Sequence, residues 1–174
     1  MSIITQALTF AYNAHKLIDQ RRKYTDEPYI VHPIAVADIV EQYGGSENQI
    51  AAALLHDVVE DTPVTLDIIE VEFGPGIATI VEGLTDVSKP EDGNRAERKS
   101  IDRKHSASAS ACAQFVKCAD LIHNTKSITE HDDNFARVYM AEKELLLDAL
   151  TKVHGAPIWK AAKKLVEEYK ATNG

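Results

Sequence analysis

Ile4, Ala7, Leu8, Ala11, Ala14 and Ile18 return at steps of three and four residues, and this spacing recurs in segment after segment of the chain. It admits an amphipathic helix and excludes a strand, which needs alternation at every second residue. The punctuation between segments agrees. After the first helix comes a loop, RRKYTDEPYIVH. Pro33 is then expected as the first residue of a second helix reaching about Tyr43, because a first-turn N–H has no partner to lose. That leaves His32 at the helix's N-terminal edge. Ser46 and Gln49 have the spacing of a capping box and open a third helix that runs through IAAALLHDVVED to near Pro63. Further helices are expected over 65–73, 77–84, 112–128, 135–153 and 158–170. A polar loop begins at SKPEDG, with a helical tail from Arg95, and HDDN reads as a turn. No segment reads as a strand, so the expected class is all-α, a helical bundle.

The chain has 174 residues, with 44% hydrophobic and 26% charged, the usage of an ordinary globular domain. One domain over 1–174 is expected, since a chain of this size buries roughly 70% of the surface it exposes unfolded. A formal net charge of -8 repels a polyanionic duplex, which argues against nucleic acid as a partner. A small anionic ligand is still admissible where basic residues cluster. Cys112 and Cys118 are too few for a disulfide framework and are expected as buried, reduced thiols. With neither a secretory leader pattern nor eighteen successive apolar residues, a cytoplasmic protein off the membrane is expected.

The chemistry concentrates in ALLHDVVEDT. On a continuous helix His56, Asp57, Glu60 and Asp61 share one arc of about 140°, and Leu54, Leu55, Val58 and Val59 fill the other. No cation nearby in sequence neutralises the acidic arc. By spacing alone it is either a solvated acidic face or half of a cation site. Imidazole nitrogen and carboxylate oxygen together suit a divalent ion, but only if ligands arrive from other helices. His32 and Asp120 are the candidates, although each alone reads as an ordinary core or surface residue. Asp120, Asn124 and Ser127 form a strip at steps of four and three.

The order H…HD…D, with the HD pair on a helix, resembles the signature of the HD superfamily of metal-dependent phosphohydrolases. The strings EPYIVHP, AALLHDVVEDT, FGPGIATIVEGLTDVSK and FVKCADLIHNT are similar to the hydrolase domain of the RelA/SpoT alarmone enzymes, over about residues 10 to 127. NRAERK further resembles the small stand-alone alarmone hydrolases. The resemblance implies an HD-domain helical bundle with His32, His56, Asp57 and Asp120 as metal ligands and manganese as the usual ion. It implies Glu60 and Asp61 as the catalytic acid pair, and Arg22, Lys23, Asn124, Lys126 and Ser127 as substrate contacts. Asp26, Leu121 and Lys126 depart from the family, standing where Gly, Arg and Arg are common.

The activity implied is hydrolysis of the 3′-pyrophosphate of a guanosine or adenosine alarmone to the 5′-nucleotide and pyrophosphate. The rival readings are a nucleotidase or other HD phosphohydrolase acting on a 5′-phosphate or a deoxynucleotide, and an alarmone-sensing module without catalysis. Two basic clusters, Arg21-Arg22-Lys23 and Arg95, Arg98, Lys99, Arg103 and Lys104, are available to a polyanionic nucleotide or serve as solvated surface charge.

Overall fold

The computed structural model describes residues 1–173. Among them there is no strand, only an isolated antiparallel bridge between Arg21 and Pro28, and the rest of the regular structure is helical. The chain divides into two compact units, Met1–Thr85 and the residues from Asp86 onward.

The first unit holds α1 (Ile3–Leu17), α2 (Val31–Gln42), α3 (Glu47–Leu55), α4 (Val58–Asp61), α5 (Leu66–Phe73) and α6 (Pro75–Leu84). Every residue from Ile50 to Leu55 is buried, so α3 is apolar all round. Such a helix belongs at the centre of a unit. It packs against α1, α2 and α6, and Ala51, Ala52 and Ala53 are small enough to let those neighbours approach. Overpacking is therefore the way to break it: Ala52→Leu would force extra methylenes into filled space, typically at about 1–3 kcal/mol. The capping box appears as expected, with Ser46 N–H donating to Gln49 Oε1 at 2.9 Å and Gln49 N–H to Ser46 Oγ at 3.4 Å.

Two boundaries differ from expectation. α2 begins at Val31, so Pro33 is the third helical residue. Its missing N–H still lies within the first turn, whose donors lack intrahelical acceptors in any case. The N–H groups of Val31 and His32 are instead taken by the carbonyls of Pro28 and Tyr29. Gly74, at φ 81°, closes α5 by donating to Glu70 O and opens α6 with Pro75 at its first position. A side chain at that φ would be strained.

In the second unit, a 3-10 turn at Pro90–Asp92 precedes α7 (Arg95–Ser108), α8 (Ala111–His131), α9 (Asp133–Ala149), a 3-10 turn at Thr151–Val153 and α10 (Pro157–Asn173). α8 and α9 pack on each other and on α10, around Val116, Leu121, Met140, Leu147, Ile158 and Val166. The expected HDDN turn contracts to Asp132, which ends α8 and caps α9 by accepting from Phe135 N–H at 3.0 Å. Cys118 is buried, and burial pushes its thiol up to about 12. Cys112 corrects the expectation: it is exposed, on the outer side of the first turn of α8. Among the described residues no helix is long and apolar enough to cross a membrane.

Candidate metal centre

The segment expected as one continuous helix is broken at the residues that carry its chemistry. α3 stops at Leu55, the chain passes through His56 and Asp57, and α4 resumes at Val58. Asp57, at φ -97° and ψ -5°, occupies the sparsely populated bridge region where active-site residues often sit.

His32, from the first turn of α2, meets this break. Its Nε2 lies 3.6 Å from Asp57 Oδ2, and His56 Nε2 lies 3.0 Å from the same oxygen. One donor atom from each of the three residues falls within 4.8 Å of the others. The histidines are 1% and 3% exposed, while the Asp57 side chain keeps 19% of its surface open. Two neighbours orient the set. His56 Nδ1 lies 2.7 Å from the Ala53 carbonyl, an acceptor only, so the proton sits on Nδ1 and Nε2 is turned toward Asp57. Tyr29 donates its hydroxyl to Asp57 Oδ2 at 2.5 Å. A carbonyl on the far nitrogen of an imidazole, as at His56, is how metal-ligating histidines are usually held in place, while the Tyr29 hydroxyl fixes Asp57 at the oxygen that the imidazoles face. Two imidazole nitrogens and a carboxylate converging in this way fit a divalent cation, and these three residues could hold one.

Beyond the break, Glu60 and Asp61 lie in the exposed last turn of α4. Asp61 Oδ2 accepts from Gln20 Nε2 at 2.8 Å. Partial desolvation lifts Asp61 above the usual carboxylate range, and the Gln20 hydrogen bond opposes that rise. His15, on the buried stripe of α1, places Nδ1 2.7 Å from Gln20 Oε1. Burial holds His15 below its ordinary pKa. Sequence reasoning missed Tyr29, His15 and Gln20. A signal did exist for His15, which stands four residues after Ala11 on the apolar stripe, where a histidine is out of place.

The loop after α1 carries the expected basic pair. The Arg22 guanidinium lies 5.7 Å from the centroid of the Tyr29 ring, while Lys23 is exposed with Nζ 3.3 Å from Tyr24 Oη. Asp26 closes this loop at φ 56°, a left-handed conformation that favours glycine, and its N–H donates to Arg22 O. The departure from Gly at this position is thus a residue in a glycine's conformation.

The remaining expected residues stand on α8 in the second unit. Asp120, with 14% of its side chain exposed, accepts from Asn124 Nδ2 at 2.7 Å and lies 4.0 Å from Lys117 Nζ. Lys126 is exposed, and Ser127 is half-buried with its carbonyl 2.8 Å from His131 Nδ1. Leu121, where an Arg is common, is a core residue at 2% exposure.

Two members of the second basic cluster have acidic partners within the unit. Arg95 makes a two-pronged pair with Glu142 at 2.7 and 3.0 Å and lies over the Phe135 ring. Lys99 Nζ is 2.7 Å from Asp86 and 3.6 Å from Asp102. Buried Asp102 also explains the run LTDVSK, since it accepts from the N–H groups of Val87 and Ser88 and from the Ser88 hydroxyl at 3.0, 2.8 and 2.9 Å.

The HD domain family model matches residues 7–147, a span that runs through both units. A probable guanosine-3′,5′-bis(diphosphate) 3′-pyrophosphohydrolase of Synechocystis sp. is 40% identical over 129 residues, covering 72% of this chain but 17% of the relative. The Xenopus tropicalis protein named guanosine-3′,5′-bis(diphosphate) 3′-pyrophosphohydrolase MESH1 is 39% identical, over 73% of this chain and 70% of its own length. A solved structure described as a metazoan ortholog of SpoT that hydrolyses ppGpp superposes with a TM-score of 0.83 at 27% identity, covering 97% of this chain and 96% of the other. A buried pair of histidines on one aspartate, carried at a helix break inside this match, leaves one assignment: the chain belongs to the HD domain family, alongside the small hydrolases named MESH1.

Proposed function

We propose that this protein is a metal-dependent hydrolase that removes the 3′-pyrophosphate of guanosine or adenosine alarmones. The observation that carries the reading is the convergence of His32, His56 and Asp57 at the α3–α4 break, with two carboxylates following in the next turn. Relatives named for this reaction, matched over most of the chain, support the substrate class. Manganese is the proposed ion, and Asp120, which matches the last residue of the family's ligand pattern, is the proposed fourth ligand.

A divalent cation in such a donor set supplies the charge that acidifies water and polarises a phosphoryl oxygen. The chain's own residues do the rest. Asp57, held by the Tyr29 hydroxyl, contributes negative charge where the cation would sit. Glu60 and Asp61 lie within a turn of the break, open to solvent, where a carboxylate can take a proton from water and return one to the leaving 3′-oxygen. The oxygen of water bonds to phosphorus, the bond from phosphorus to the ribose 3′-oxygen breaks, and that oxygen leaves with a proton as a hydroxyl. The products are pyrophosphate and the 5′-nucleotide. Arg22 and Lys23 are proposed to meet the nucleotide from the loop after α1, and Asn124, Lys126 and Ser127 from α8. Two cysteines standing as free thiols suit a cytoplasmic enzyme.

Incubation of the protein and manganese with a panel of guanosine and adenosine 3′-pyrophosphates, with phosphate products resolved by phosphorus NMR, tests the reading. Pyrophosphate and the 5′-nucleotide are expected. Release of orthophosphate alone, or no turnover of any member, would overturn it.

A further inference from the structure

α1 ends in a hydrogen-bonded stop that fixes the residue following it. Asp19 N–H donates to Lys16 O at 3.0 Å and Gln20 N–H to His15 O at 3.1 Å, the pattern of a Schellman motif, with Asp19 left-handed at φ 47°. The Gln20 carbonyl then accepts from Tyr29 N–H at 3.1 Å. Gln20 is thus tied at both backbone groups, and its side chain lies between His15 and Asp61.

The chemistry of that side chain fixes the direction of the chain of bonds. Asp61 accepts, so the Gln20 amide presents its NH2 there and its carbonyl to His15. A carbonyl accepts only, so the proton on the ring is at Nδ1. His15 Nε2 is then the bare nitrogen, and it is buried with no hydrogen-bond partner among the described residues. A side chain placed there only to fill space would leave no such atom, since an aromatic hydrocarbon packs as well at less cost. The ring also lies against Tyr29, with centroids 4.8 Å apart, and Tyr29 donates to Asp57.

We propose that His15 and Gln20 are positioning residues for Asp61. The chain Nδ1–H to Oε1, then Nε2–H to Oδ2, keeps one carboxylate oxygen occupied as an acceptor and leaves Oδ1 as the oxygen that meets water and exchanges a proton. This deepens the reading of Asp61 under Proposed function and rests on it for its catalytic consequence, though not for the bonds themselves.

The test compares two replacements that separate the donor from the ring. His15→Asn keeps an N–H donor near the position of Nδ1 and loses the ring, whereas His15→Phe keeps the ring and loses the donor. With the full chain, manganese and a guanosine 3′-pyrophosphate, Gln20→Leu and His15→Phe are expected to lower kcat about tenfold or more while KM and manganese affinity stay within about twofold. His15→Asn is expected to recover most of the loss. Greater activity in His15→Phe than in His15→Asn would mean that the ring's packing is what matters, and would overturn the proposal. A second measurement needs no turnover: nitrogen-15 NMR of the histidine-labelled full chain in excess magnesium should find His15 protonated at Nδ1 and bare at Nε2. The opposite tautomer would also overturn the proposal. An inactive wild type with the expected tautomer would instead count against the substrate reading, while leaving the bonds standing.

Discussion

The two units treat charge in opposite ways. In the first, helices are short and interrupted, and the important groups gather at an interruption: two buried imidazoles face one aspartate, and the carboxylates of Glu60 and Asp61 follow in an exposed turn. In the second, long helices set several charges side by side in pairs: Arg95 with Glu142, Lys99 with Asp86, Lys163 with Asp148 and Lys170 with Glu144. A paired charge at a surface contributes little and does little chemistry. Carboxylates gathered beside buried imidazoles are the arrangement a divalent cation would stabilise, so the contrast separates charge collected at one place from charge distributed in pairs.

The sharpest way to break this contrast is to remove the cluster. Asp57→Ala or His56→Ala should abolish both manganese binding, read by titration calorimetry, and pyrophosphate release. Metal-dependent turnover retained in either variant would dissolve the distinction. Asp120→Ala asks whether the second unit lends a ligand; a loss of manganese affinity on the order of 10²-fold or more is expected, and unchanged affinity would confine the centre to the first unit. Glu60→Gln should keep the metal and slow kcat by on the order of 10²-fold, so an unaltered rate would remove that side chain from the chemistry.

Lys143 sharpens the contrast from the other side, because it is a charge the second unit holds at a cost. Burial, with the nearby Lys117, pulls its pKa down to about 8 from 10.5. The unfolded chain therefore binds a proton that the folded chain has released between those values, so this residue's contribution makes stability rise with pH across that window. Lys143→Met is expected to be more stable than wild type at pH 7 by about 1–3 kcal/mol, with the gap closing toward pH 10.5 in urea melts. A pH-independent gap would show that the ammonium is solvated. The smallest effect concerns the stop of α1: Asp19→Gly relieves a left-handed φ of 47° and should add up to about 1 kcal/mol in the same melts, whereas a loss would mean that the contact of Asp19 with Arg21 outweighs the strain.

The helices were legible because their signals are local. The three-and-four spacing of α1, the Ser46–Gln49 box and the glycine before Pro75 act within a few residues, and they mark the course of α1, the start of α3 and the end of α5 as expected. His56 and Asp57 were legible as chemistry because a histidine beside two further carboxylates on an otherwise aliphatic segment has few structural uses. The break beneath them was not legible, since nothing in ALLHDVVEDT forbids a continuous helix. Nor was the role of Tyr29, a loop residue whose hydroxyl finds Asp57 across 28 positions of sequence.

The order and kind of the elements, and the residue types able to hold a cation, were therefore determined by the sequence alone, through backbone preferences and apolar periodicity that need no distant partner. Which oxygen of Asp57 the two imidazoles share, which way Gln20 faces and which lysine is desolvated were decided only by the packed structure. Those facts depend on groups far apart in the chain being brought within hydrogen-bond range, and no local rule encodes that distance.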